Sequence, residues 1–218
     1  LGPQQIAVSP DGKTLYFTGM GDWGYRNKRP PKGIHCVGSM SWDSDAPTPF
    51  IGKPDVPGDG ELLNRPVHVV TDDKGRIFVA DAGNSRVAVF DAAGKYLGQT
   101  KVEQPRMLAI HSGTGALYVL TAQKGRRWEK LAVVKYDKVI DGREVARHEF
   151  SGRSAVIALD ASADPARLWL SYDSGWRQPF MLVPLTDGGK TLEAGAKILA
   201  GRSPRFTAPM FLAADGRR

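Results

Sequence analysis

Residues 65–98 limit what this chain can fold into more than any other stretch. They read RPVHVVTDDKGRIFVADAGNSRVAVFDAAGKYLG, four short β-type runs cut by three turn signals. Residues 67–71 are rich in β-branched side chains, which favour a pleated strand. Residues 72–75 form a turn in which Gly75 is free to take positive φ. A second run covers 76–80, a polar loop 81–85, a third run 86–90 and a second turn 91–94. From Tyr96 the chain can form a fourth strand. Short apolar runs bounded by Gly, Asp and Asn clusters signal antiparallel hairpins. A meander this short cannot bury both of its faces alone, so it must stack on copies of itself. Its span is that of one four-stranded β-propeller blade.

The stretch also resembles an NHL repeat. The resemblance is carried by Pro66, Val69-Val70, Gly75, the string Ile77-Phe78-Val79-Ala80-Asp81, Asn84-Ser85-Arg86, Val89-Phe90-Asp91 and Gly94-Lys95. It covers one unit well and implies a propeller of the NHL and TolB-like type, six-bladed when whole.

Weaker copies recur. Residues 6–12 with 14–18, 107–115 with 116–120, and 155–165 with 167–170 each repeat strand, turn, strand, and 210–216 opens another copy. The turn residues Gly12, Gly75, Gly115, Pro165 and Gly216 are 63, 40, 50 and 51 apart, so the longest insertion falls in the first unit, between Gly19 and Asn64. Pro3, Pro66, Pro105 and Pro209 precede the first strand of their units, where proline costs no ladder bond; Ser154 takes that place in the fourth. Third and fourth strands are expected at 131–136 with 144–150 and at 180–185 with 196–200. The expected fold is therefore all-β, a β-propeller of four-stranded antiparallel blades with about four blades and part of a fifth. The blades are read at 3–64, 65–104, 105–153, 154–204 and 205–218 (partial), in a single domain over 1–218. The chain starts without Met and stops mid-unit, so we expect a fragment whose partners include the remaining blades of a longer chain.

At 218 residues and 41% hydrophobic content a sizeable core is within reach. No run approaches the roughly 20 apolar residues of a membrane helix. A single cysteine, Cys36, excludes an internal disulfide; its alternating neighbours read as a strand with a buried thiol, against a reactive or metal-binding one. The net charge of +7 favours anionic partners. A secreted or periplasmic bacterial setting is expected from the habit of the resembled family.

Charge says more once it is located. In a blade, the connections between strands two and three share one face with the joints between blades. Three of four such connections are basic and carry tryptophan: Trp23 with Arg26, Lys28 and Arg29; Arg126 and Arg127 with Trp128; Trp176 with Arg177. Arg86 borders the fourth, and the joints add His68 and Arg106. Such residues converging from separate blades would form a cationic, aromatic platform for an anionic or carbohydrate ligand or another protein. Single-stranded nucleic acid would fit the same chemistry less readily. Against this stands plain packing of guanidinium on indole within long loops.

Catalytic motifs are missing from the sequence. His35, His68, His111 and His148 have no metal-pair spacing, and neither GxSxG nor a phosphate-binding glycine loop is present. No cofactor is expected. The alternative is a propeller enzyme of the amidating-lyase or sugar-lactonase type holding calcium or zinc, with His68, Asn84 and Asp160 as the residues to consider. Asp81, Asn84 and Arg86 read more simply as loop-stabilising residues. Residues 42–59, rich in Asp, Pro and Gly, read as a long ordered surface insertion.

Overall fold

The structure, a computed structural model, describes residues 5–19, 33–123, 129–152, 154–173 and 180–199. It contains four antiparallel sheets in chain order. The first comprises Gln5–Val8 (β1), Thr14–Thr18 (β2), Cys36–Ser41 (β3) and Thr48–Gly52 (β4). The second comprises Pro66–Thr71 (β5), Ile77–Asp81 (β6), Arg86–Phe90 (β7) and Tyr96–Lys101 (β8). The third comprises Pro105–His111 (β9), Ala116–Gln123 (β10), Glu129–Tyr136 (β11) and Glu144–Gly152 (β12). The fourth comprises Ser154–Asp160 (β13), Arg167–Asp173 (β14) and Phe180–Asp187 (β15), with Leu192–Ala194 (β16) and Ile198–Leu199 (β17) both paired to β15. Each sheet is a simple meander, the arrangement of a propeller blade. The opening of a fifth blade at 205–218 lies outside the described residues.

Turn chemistry sets these hairpins. Asp72 accepts the N–H groups of Lys74 (3.1 Å) and Arg76 (2.9 Å), and Gly75 completes the turn at φ 76°. That conformation suits glycine because a Cβ would crowd its own backbone. Asp91 plays the same part between β7 and β8, accepting from Ala93 and Lys95 at 2.9 Å.

Two expectations need correction. Residues 42–59 are not a pure surface insertion, because Thr48–Gly52 is the fourth strand of the first sheet. Pro49 obscured it, yet β4 is an edge strand, where a missing N–H is tolerated. Of the expected strand at 196–200 only Ile198–Leu199 (β17) pairs with β15, and a further strand not expected from the sequence, Leu192–Ala194 (β16), precedes it. Pro184 on β15 accepts the Gly195 N–H at 2.8 Å but has none to return, so the partner strand breaks there.

The chain divides into two compact units, Leu1–Leu108 with Val139–Gly142, and Ala109–Lys138 with Arg143–Arg218. In the first, Tyr16, Val37 and Ile51 of the first sheet pack with Val69, Ile77, Val79, Ala88 and Phe90 of the second, and Leu63 joins from the joint between them. In the second unit, Leu117, Val119, Val133 and Val134 are buried on the third sheet and Leu168, Leu170 and Leu185 on the fourth.

Candidate functional site

The connections between second and third strands are the elements to follow. In the second sheet this connection is one 3-10 turn, Ala82–Asn84, followed by Ser85 in the left-handed region at φ 52°. It is short because it is knitted tightly. The Asp81 carboxylate accepts the Asn64 N–H (2.7 Å), the Asn84 side-chain amide (2.7 Å) and Arg86 Nε (2.8 Å). Asn84 also donates to the Gly58 carbonyl at 2.6 Å. Asp81 and Asn84 therefore do the loop-stabilising work read from the sequence.

Arg86 is buried, and its guanidinium is fully engaged within the protein. Beyond Asp81, Nη1 donates to Asp59 (2.5 Å) and Gln99 (2.7 Å), and Nη2 donates to the carbonyls of Gly60 (3.1 Å) and Leu62 (2.6 Å). A guanidinium has five N–H donors, and these five acceptors use them all. Arg86 thus clamps the joint between the first two sheets, which the spacing of Asp59, Gly60 and Leu62 from it had concealed. Burial pushes the Asp81 carboxyl above its ordinary value, against the pull of its hydrogen bonds and of Arg86.

His68 is also buried, but incompletely satisfied. Its Nδ1 has no hydrogen-bond partner, and neither has the buried Thr18 Oγ1. Burial drives the His68 imidazole down to about 4, so the ring is neutral at pH 7. The first sheet meets β5 through Thr71, whose hydroxyl donates to the Val8 carbonyl at 2.6 Å. Such unsatisfied atoms are unusual, since buried polar atoms normally find partners.

The other histidines have local roles. The Arg65 N–H donates to His35 Nδ1 (3.3 Å), the Thr114 N–H to His111 Nδ1 (3.4 Å), and His148 stacks on Phe150 with ring centres 6.2 Å apart. Asp160 accepts from Ser162 within its turn (2.6 Å from the hydroxyl). Cys36 is buried, and burial raises its thiol pKa, which fits the structural reading over a reactive one. Among the described residues no group of three or more His, Cys, Asp or Glu side chains is placed to hold a metal ion. Nor is any helix among them long and apolar enough to cross a membrane.

Arg106 is exposed on β9. Trp23, Arg26, Arg29, Arg126, Arg127, Trp128, Trp176 and Arg177 lie outside the described residues. Their chain positions are informative all the same: the three groups fall between β2 and β3, β10 and β11, and β14 and β15. Each is therefore the connection between second and third strands of its sheet.

Residues 63–90 match the family model of the NHL repeat. The second sheet carries an NHL repeat. The match runs from the joint that Arg86 clamps to the end of β7, so the buried Asp81–Arg86 pair belongs to the NHL blade. No curated protein matched the sequence significantly. Among solved structures, hydrazine synthase of Kuenenia stuttgartiensis superposes with a TM-score of 0.60 at 16% identity, over 93% of this chain and 51% of that one. A protein assigned as a 6-phosphogluconolactonase from Bacteroides uniformis gives 0.56 at 13% identity, over 89% of this chain and 54% of its own. The Dos1 propeller gives 0.54 at 13% identity, over 92% and 53%. At these identities the likeness shows the propeller fold alone. The chain spans about half the length of each of these structures.

Proposed function

We propose that this NHL propeller is a non-catalytic binding scaffold that presents anionic ligands with basic, tryptophan-bearing connections between the second and third strands of its blades. Acidic glycans are the class best matched, because indole rings stack on sugar faces while arginine forks bond carboxylate or sulfate. The observation that carries the reading is topological. In three separate sheets the stretch of sequence between the second and third strands carries both Arg and Trp, while the NHL blade, lacking Trp there, has a three-residue turn. The second unit has two such connections, with Arg126, Arg127 and Trp128 in one and Trp176 and Arg177 in the other. An extracytoplasmic bacterial setting belongs to the same proposal.

Retention of the full-length protein on a heparin column tests it. Replacing Arg126, Arg127 and Arg177 together by Ala should lower the eluting salt concentration clearly. Unchanged retention would remove the basic-surface reading. Metal analysis of the same preparation is the second arm: stoichiometric calcium or zinc would shift the reading to a propeller enzyme of the lyase or lactonase type.

A further inference from the structure

The first sheet carries a second, chemically different recess. Thr14 and Tyr16 on β2 face Ser41 and Ser39 on β3, and Ser39 in turn faces Thr48 on β4. Alternate residues of a strand share a face, so these hydroxyls form one continuous patch. Deeper on this face, Tyr16 joins Val37 and Ile51 in the core shared with the second sheet. Beside it lies a groove of about 350 Å³, to whose lining the second sheet contributes Ala92. None of the residues lining it is charged.

The repeat makes this composition informative. The cross-strand pair Tyr16–Ser39 corresponds to Phe78–Val89 in the NHL blade, and both of those side chains are fully buried. In the third sheet the corresponding pair is Tyr118–Lys135. There the tyrosine hydroxyl donates to Asp187, and Lys135 Nζ pairs with the same carboxylate at 2.8 Å. The place is thus filled by hydrocarbon in one blade and by an ion pair in another. In the first sheet it is open, neutral and lined by hydroxyls, and the described residues offer the Tyr16 hydroxyl no partner. The Tyr16 and Phe50 rings floor the groove with centroids 5.7 Å apart, tilted by 31°. Trp42, the residue after Ser41, is 66% exposed, and its indole N–H is pinned to the Gly12 carbonyl (2.5 Å). The bond holds a large aromatic face in solvent at the same end of the sheet.

We propose that this groove is a binding site for an uncharged saccharide, separate from the basic connections at the other end of the blade. A sugar ring offers apolar C–H faces to the Tyr16 and Phe50 rings and hydroxyls to the Ser and Thr wall. The absence of Lys, Arg, Asp and Glu selects against phosphorylated or acidic sugars, whose charge would lose hydration here without a partner. The volume falls within the roughly 300–1,000 Å³ of small-molecule sites.

Saturation-transfer NMR with the methyl glycosides of glucose, galactose, mannose and N-acetylglucosamine tests the site on the full-length protein. At least one should give a saturable signal. Tyr16→Phe keeps the ring and removes the hydroxyl, and should weaken binding about 3- to 10-fold, the worth of one hydrogen bond. Ser39→Val, checked for an unchanged melting temperature, removes a hydroxyl of the wall and should weaken binding by a similar factor, and Thr48→Val, which exchanges a hydroxyl for a methyl of nearly equal size, should do the same if Ser39→Val fails to fold. The Arg126, Arg127, Arg177 triple alanine variant should leave it intact, which separates this site from the basic surface. Silence from all four glycosides would overturn the proposal. So would binding unchanged in both valine variants, binding lost in the arginine variant, binding unaffected by Tyr16→Phe, or stronger binding of glucose 6-phosphate.

Discussion

Replacing Arg86 by Met tests the central structural claim, that this arginine holds the joint between the first two sheets. The substitution keeps most of the side-chain volume and removes all five donors. Left behind are the Asp81 carboxylate, fully buried, the Gly60 and Leu62 carbonyls, and the Gln99 amide oxygen. Breaking a buried ion pair from one side costs about 3–5 kcal/mol, because the remaining charge has no partner. The bond to Asp59 adds little, since that carboxylate is 79% exposed and water replaces the arginine. Arg86→Met should therefore lower unfolding stability by about 3–5 kcal/mol in urea titrations followed by circular dichroism. Arg86→Lys retains the charge but not the fork, and should fall between the two. A loss below about 1 kcal/mol for Arg86→Met would refute the clamp. Full stability with weakened heparin retention would instead return Arg86 to the binding surface.

Further outcomes follow from the same structure. His68 titrates at about 4 when folded against about 6.5 unfolded, so between these values the unfolded chain binds more protons and stability falls as pH falls. The full effect is about 3 kcal/mol, complete near pH 4, and His68→Phe should flatten that part of a stability–pH curve while leaving it unchanged above pH 7. Gly83→Ala should destabilise strongly, because the new Cβ would lie 2.4 Å from the Asn64 carbonyl oxygen of the same joint; an unchanged urea midpoint would contradict that packing. Tyr118→Phe should cost about 1.5–3 kcal/mol, since it removes a hydrogen bond to an ionised group, and in the wild type the phenol should ionise only well above its ordinary value, as read by ultraviolet absorbance.

Much of the fold was legible because repetition and turn chemistry are local. Gly75 with Asp72, and Gly94 with Asp91, marked their turns in the sequence and close them in the structure. The fourth strands were the hard part. Pro49 and Pro184 interrupt the β pattern: β4 tolerates Pro49 because it is an edge strand, whereas Pro184 lies on β15, inside its sheet, and the strand paired beside it is broken there. The site was less legible. The basic connections could be assigned to one kind of loop from spacing alone, whereas the hydroxyl groove could not. Its residues are ordinary Ser and Thr, and they gain meaning only from the pairing Thr14–Ser41 and Tyr16–Ser39–Thr48.

The sequence by itself determined a repeated four-stranded meander, a net positive charge and the positions of three Arg–Trp groups, because hydrophobic period, turn residues and composition act over a few neighbours. Tertiary structure decided which polar residues are already satisfied. Arg86 borders a loop in the sequence, yet it finds acceptors 27, 26 and 24 residues back at Asp59, Gly60 and Leu62. Thr18 and His68, 50 residues apart in the chain, are each buried with an atom unpaired. Whether a donor faces an acceptor, another orphan or open solvent depends on which sheet packs beside it, and no local pattern encodes that.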